Sequence, residues 1–171
     1  MINAAVMLTF LKNRKGVSLI ELVVTVTVLA ILASVAVPFV QMTAKRTREI
    51  ELRRNLRTIR TAIDEYRKKY DWALDNHKIN AVINKSSGCP ETLQVLVDGY
   101  DFGEVTPPTR KFLRKIPPDP MNPPKPGEEP KWGLRSYEDK PDSTSWGGED
   151  VFDVYSLSEG TAIDGTKYKD W

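Results

Sequence analysis

The sequence predicts an α+β chain. A long N-terminal helix, a hydrophobic stem followed by an amphipathic half, is expected to pack on a small antiparallel β-sheet. Three observations predict it. Val17–Val40 is a run of 24 residues with one formal charge, Glu21. Leu52, Leu56, Ile59, Ile63, Tyr66 and Tyr70 recur at alternating steps of four and three, the period of one helix face. Beyond them come a proline-rich stretch and two short segments, Trp132–Tyr137 and Val151–Ser156, that read as strands.

The elements follow in order. Residues 1–11 are mildly apolar and read as part of a leader, and Lys12-Asn13-Arg14-Lys15 places positive charge just before the apolar run. At about 1.5 Å per residue, a helix of this length crosses a hydrocarbon layer about 30 Å thick. The preceding charge favours leaving residues 1–15 on the cytoplasmic side. A secretory signal peptide is the rival reading, with Ser34 and Ala36 as its small residues. The length of the run and Glu21 argue against it. A lone carboxylate in hydrocarbon costs about 2.5–3.5 kcal/mol, so Glu21 needs a partner or an interface. Thr25 and Thr27 can bond back to helical carbonyls. Pro38 loses a helical hydrogen bond and crowds the preceding turn, which predicts a kink around residues 34–38 or the end of the helix.

After Pro38 the chain becomes strongly charged, and helix is expected from Met42 to Trp72. If it passes through Pro38 it spans about 55 residues, roughly 80 Å. Its single narrow apolar face predicts packing on its own domain rather than a two-stranded coiled coil. Asp75–His77 weakens the pattern, and Ile79–Ile83 is read as a last turn or a short separate helix. Lys85–Pro90 reads as a turn. Glu91–Val97 reads as a short helix with Leu93, Leu96 and Val97 inward and Gly99 near its end. Val105–Pro130 holds nine prolines, which exclude a central strand or α-helix. It reads as a stiff surface loop anchored by Phe112, Leu113 and Ile116, with a polyproline recognition segment as the alternative. Trp132, Leu134 and Tyr137 are expected to pack inward. The two strands are expected to pair antiparallel, with a short third strand in the terminal region and the amphipathic helix as cover.

The chemistry is sparse. The formal net charge is +2, and residues 1–16 hold three of the 25 basic residues and none of the 23 acidic ones. Nothing in that balance suggests polyanion or nucleic-acid binding. Cys89 is the single cysteine, so no intrachain disulfide can form, and it reads as a partly buried thiol. His77 is the single histidine. There is no phosphate loop, no dinucleotide fingerprint and no internal repeat. A Cys89–His77 nucleophile pair has no residue to orient it, so no enzyme is expected. Glu159, Asp164 and Asp170 sit in a glycine-containing tail and are oxygen ligands of the kind Ca²⁺ uses. Their spacing does not match an EF-hand, and a solvated acidic turn fits the same composition.

Arg14-Lys15 ahead of Gly16-Val17-Ser18-Leu19-Ile20-Glu21-Leu22 resembles the processing motif of type IV pilin-like proteins. Pro38 falls where that family carries its stem proline. Leu93–Val97, the loop Lys115–Pro123, Trp132–Tyr137 and Phe152–Ser156 are similar to the major pseudopilin of type II secretion. The resemblance implies a pilin-like fold and three regions: a leader, residues 1–16; a transmembrane and filament-core helix, residues 17–40; and an amphipathic helix with a periplasmic domain, residues 41–171. It implies that a prepilin peptidase cuts between Gly16 and Val17 and methylates the new amine of Val17, where the family usually has phenylalanine. Glu21 would then pair with the N-terminal amine of a neighbouring subunit in a helical filament. The implied partners are further copies of the chain, minor pseudopilins, an inner-membrane assembly platform with its ATPase, and membrane lipid before assembly. The family also implies a structural Ca²⁺, for which Glu159, Asp164 and Asp170 are the nearest candidates. A type IV pilus major or minor pilin is the alternative, and an anchored or secreted binding module a third reading. Many pilins close a C-terminal loop with a disulfide, which one cysteine cannot make.

Overall fold

The computed structural model describes residues 16–79, 87–104 and 109–171. The leader, its basic run, most of the predicted Ile79–Ile83 element, the start of the Lys85–Pro90 turn and residues 105–108 lie outside the described residues. The elements are α1 (Leu19–Asp75), α2 (Leu93–Asp98), β1 (Gly133–Arg135), β2 (Asp153–Tyr155) and a 3₁₀ turn, Tyr168–Asp170. The chain divides into two compact units, Met1–Ala44 and Lys45–Trp171.

In the first unit the helix begins where the apolar run begins. Thr25 Oγ1 donates to the Leu22 carbonyl at 2.9 Å and Thr27 Oγ1 to Val23 at 2.7 Å, so the two hydroxyls are satisfied without leaving the helix. Ser34 and Thr43 do the same to Ile31 and Phe39. Pro38 lies inside α1 and does not end it. The stem's large apolar side chains, among them Leu19, Leu29, Leu32 and Phe39, are exposed.

In the second unit the stripe read from the sequence is the core. Leu52, Leu56, Ile59, Ile63, Tyr66 and Tyr70 are all buried. They pack with Leu93 and Leu96 of α2 and with Phe102, Trp132, Val151, Val154, Ala162 and Tyr168. Each fully buried aliphatic side chain contributes about 1.5–3 kcal/mol, so this seam is the main stabilising contact. Tyr66 lies at the centre of an edge-on aromatic cluster, with the rings of Tyr100, Phe102 and Phe112 at 5.6, 5.3 and 5.5 Å.

β1 and β2 pair antiparallel, with Gly133 opposite Tyr155, Leu134 opposite Val154 and Arg135 opposite Asp153. Gly133 is required by close approach: a Cβ there would lie 2.2 Å from the Tyr155 ring. The strands are three residues each, shorter than the segments that predict them. Asp139 ends β1's run by accepting from the Ser136 N–H at 2.7 Å and the Gly147 N–H at 3.0 Å. This turn leaves Tyr137 exposed rather than inward, edge-on to Phe152 at 5.3 Å. The expected third strand is absent among the described residues. The tail instead makes a single bridge, Thr161 to Lys167, and the 3₁₀ turn. Gly165, at φ +88°, reverses the chain too soon for a strand to extend.

The proline-rich stretch is a loop among its described residues, with Phe112, Leu113 and Ile116 packed on the core as expected. Polar contacts fix it further. Trp132 Nε1 donates to the Pro117 carbonyl and Asn55 Nδ2 to the Pro118 carbonyl, each at 2.9 Å. Asp119 is fully buried, accepting from Ser156 Oγ at 2.6 Å and the Met121 N–H at 2.8 Å. These two bonds replace the solvation its carboxylate gives up.

Candidate functional site

Two places were singled out by the sequence: the motif at the head of the stem, and the C-terminal acidic loop. At the first, Gly16, Val17 and Ser18 form a non-helical lead into α1. The space where a Gly16 Cβ would sit has nothing within 4 Å. Val17 is 68% exposed. The Leu22 N–H donates to the Ser18 carbonyl at 3.0 Å and closes the first helical turn. Glu21 lies in that turn and is exposed. Negative charge there complements the unsatisfied N–H groups of the helix start. None of the ion pairs among the described residues uses Glu21. The stem behind it is long and apolar enough to anchor in a membrane in a single pass. The arrangement is an exposed carboxylate in the first turn of a long apolar helix.

The second place is built from a polar line on α1 beside the core stripe. Lys45 Nζ donates to the Thr161 carbonyl at 2.7 Å. One turn on, Glu49 Oε1 accepts from the Ile163 N–H and from the Tyr168 hydroxyl, each at 2.9 Å. One turn further, Arg53 pairs with Asp164 at 3.0 Å and lies 4.1 Å over the Trp171 ring. Arg60 pairs with Asp153 at 2.7 Å and also donates to the backbone oxygens of Val154 and Trp171. Steps of four and seven residues put these side chains on one helix line. Together they fasten residues 153–171 to the helix.

The three carboxylates expected to hold Ca²⁺, Glu159, Asp164 and Asp170, lie apart from one another as a ligand set. Among the described residues no three His, Cys, Asp or Glu side chains gather as a metal site. Asp164 is already occupied: the Thr166 hydroxyl and N–H, then the Arg53 guanidinium, hold its carboxyl below the usual aspartate range. Glu159 and Asp170 are exposed. Glu159 lines an open hollow of about 520 Å³ together with Lys167 and Lys169, whose charge disfavours a cation. Burial, then the hydrogen bond to Glu49 and that carboxylate's charge, push the Tyr168 hydroxyl up to about 12. Sequence reading missed Lys45, Glu49, Arg53 and Arg60 as a set. The available signal was their spacing beside the apolar stripe.

Cys89 and His77 take no part in either place. Burial, reinforced by the charge of Asp150, pushes the Cys89 thiol up to about 11, so it stays protonated near neutrality. Its sulfur faces the Ser87 carbonyl at 3.8 Å, while His77 Nδ1 faces the Asp75 carbonyl at 3.2 Å. The chemistry on view is structural.

Residues 11–37 match the family described as the prokaryotic N-terminal methylation motif. No curated protein and no solved structure matches the chain. A long helix on a small antiparallel sheet, headed by that motif, is a type IV pilin-like fold consistent with the pilin and pseudopilin superfamily.

Proposed function

We propose that the chain is a structural subunit of the type II secretion pseudopilus. In this reading it polymerises into a helical filament that helps move folded proteins across the outer membrane. The observation that carries it is Glu21, a carboxylate without an ion-pair partner among the described residues, five positions past Gly16 at the head of an exposed apolar helix within the matched motif. Cleavage between Gly16 and Val17 by a prepilin peptidase creates a new amine at Val17, which is then methylated. That amine, on a neighbouring subunit, is the cation Glu21 lacks. Pairing recovers part of the cost of holding a carboxylate in an apolar setting. The exposed stem side chains pass from inner-membrane lipid to the filament core, and the Lys45–Trp171 unit faces the periplasm. An assembly platform with its ATPase and minor pseudopilins are the further partners this implies.

The secretion reading is favoured over a pilus pilin by the C-terminal loop. It is fastened by Glu49, Arg53 and Arg60, and the single cysteine leaves no disulfide to close it. The test is a chromosomal deletion complemented by wild type or Glu21→Ala. Wild type is expected to restore accumulation of folded exoproteins in the medium. Glu21→Ala is expected to insert normally and restore none. Loss of adhesion or motility with secretion intact would move the chain to the pilus reading. Full secretion by Glu21→Ala would refute the role of Glu21.

A further inference from the structure

We propose that the arginine line on the outer face of α1 docks on the acidic, aromatic segment 137–152 of a second copy of this chain. The proposal rests on the polymer reading above and names the surfaces that meet. Arg46, Ile50, Arg54 and Arg57 follow one another at steps of four, four and three, so they share a face. That face lies away from the buried Leu52–Tyr70 stripe, and all four residues are exposed, Ile50 at 62%. None of the ion pairs among the described residues uses Arg46, Arg54 or Arg57. Residues 45–60 carry seven basic side chains against two acidic ones.

The complementary surface is residues 137–152. Between 138 and 150 the sequence has five acidic residues against one lysine, and all but the buried Asp150 lie at or near the surface. Glu138, Asp142 and Glu149 are exposed, as are Tyr137, Trp146 and Phe152, with Arg67 of the same chain 5.3 Å over the Tyr137 ring. Tyr137 and Phe152 stand edge-on at 5.3 Å, a rigid apolar pair beside the carboxylates. A guanidinium suits such a surface because it pairs with carboxylate, stacks on aromatic faces and sheds water more readily than an ammonium. Arginine and aromatic side chains are the types enriched where proteins meet.

Within one chain no ion pair among the described residues joins these two surfaces. They are different patches of the same molecule, so their contact between copies is heterologous. A repeated heterologous contact that does not close generates an open helical filament. An anionic lipid surface would attract the arginines but has no use for an acidic, aromatic segment, and that segment commits the occupant to a second copy.

The test uses the full chain in cells that supply the prepilin peptidase and assembly apparatus, reading filament yield after shearing. Arg54→Glu with Arg57→Glu is expected to lower the yield about tenfold or more, and Glu138→Lys with Asp142→Lys to do the same. Combining the four substitutions is expected to restore filaments, because the pairs re-form with signs exchanged. Unchanged yield in either double variant overturns the proposal. An arginine reversal that the lysine pair fails to rescue also overturns it and points to lipid. If wild type makes no filament, the polymer reading falls and this contact with it. As a second measurement, Arg54→Cys with Glu138→Cys in a Cys89→Ser background is expected to give a disulfide-linked ladder from sheared filaments. Filaments without a ladder contradict the contact.

Discussion

The Tyr168 hydroxyl donates to Glu49 Oε1 at 2.9 Å, and the Ile163 N–H donates to the same oxygen at the same distance. Both Glu49 and Tyr168 are buried. One carboxylate oxygen on α1 thus ties down two points of the C-terminal loop. Glu49→Ala should leave a buried hydroxyl and a backbone N–H without an acceptor, at about 2–4 kcal/mol. Glu49→Gln keeps an acceptor and should cost less. Thermal unfolding of the detergent-solubilised chain measures both. An alanine variant as stable as wild type would show that the loop is held elsewhere.

The same pair gives a pH dependence. Tyr168 is raised from 10.0 to about 12 in the folded chain, so folding favours its protonated form. Its contribution is fully present below pH 10 and is lost as pH rises from about 10 to 12. Tyr66, whose hydroxyl is pushed up chiefly by burial, acts in the same direction. Stability should therefore fall on the alkaline side. Tyr168→Phe should flatten the part of that fall owed to Tyr168, and an unaltered alkaline profile in that variant would contradict the assignment.

Divalent cations are predicted to matter little. Among the described residues Glu159, Asp164 and Asp170 do not gather as a metal site, and Arg53 and Arg60 supply positive charge facing the loop. EDTA should leave the melting temperature unchanged. Arg60→Ala, which removes the partner of Asp153 and of the Val154 and Trp171 backbone oxygens, should lower stability by about 2–3 kcal/mol. A clear stabilisation on adding Ca²⁺ would show that carbonyl ligands complete a site after all.

The short sheet makes its own prediction. Tyr155 packs its ring on Gly133, lies under the Arg135 guanidinium at 4.3 Å and donates its hydroxyl to the Thr144 carbonyl at 3.1 Å. A methyl at position 133 has no room. Gly133→Ala should cost about 1–3 kcal/mol, with the loss concentrated in hydrogen-exchange protection of Gly133–Arg135 and Asp153–Tyr155. Wild-type protection would show that the ring moves aside freely.

The helix was legible because its signal is periodic. Six apolar residues at steps of four and three named the buried face from Leu52 to Tyr70, and α2 followed from Leu93, Leu96 and Gly99. The sheet was legible in position and pairing but not in extent, since the carboxylate of Asp139 and the close approach at Gly133 are three-dimensional facts. Nothing in the local pattern marks Asp119 within the proline loop. Only the approach of Ser156 makes it a buried anchor. The acidic tail suggested a metal because carboxylates and glycines are common to ion sites and to solvated turns alike. The contacts that hold this tail come from the line of Lys45, Glu49, Arg53 and Arg60, more than 90 residues away in sequence from the atoms it holds. Local pattern cannot report contacts of that range.

In the proposed function the stem is a processed filament element and Glu21 its assembly contact. The mature N-terminus, read by mass spectrometry on protein isolated from its own cells, tests the processing on which that contact depends. A chain beginning at N-methylated Val17 is the predicted result. A chain beginning near Val37, as a signal peptidase would leave it, would remove both the stem and Glu21 and contradict the account.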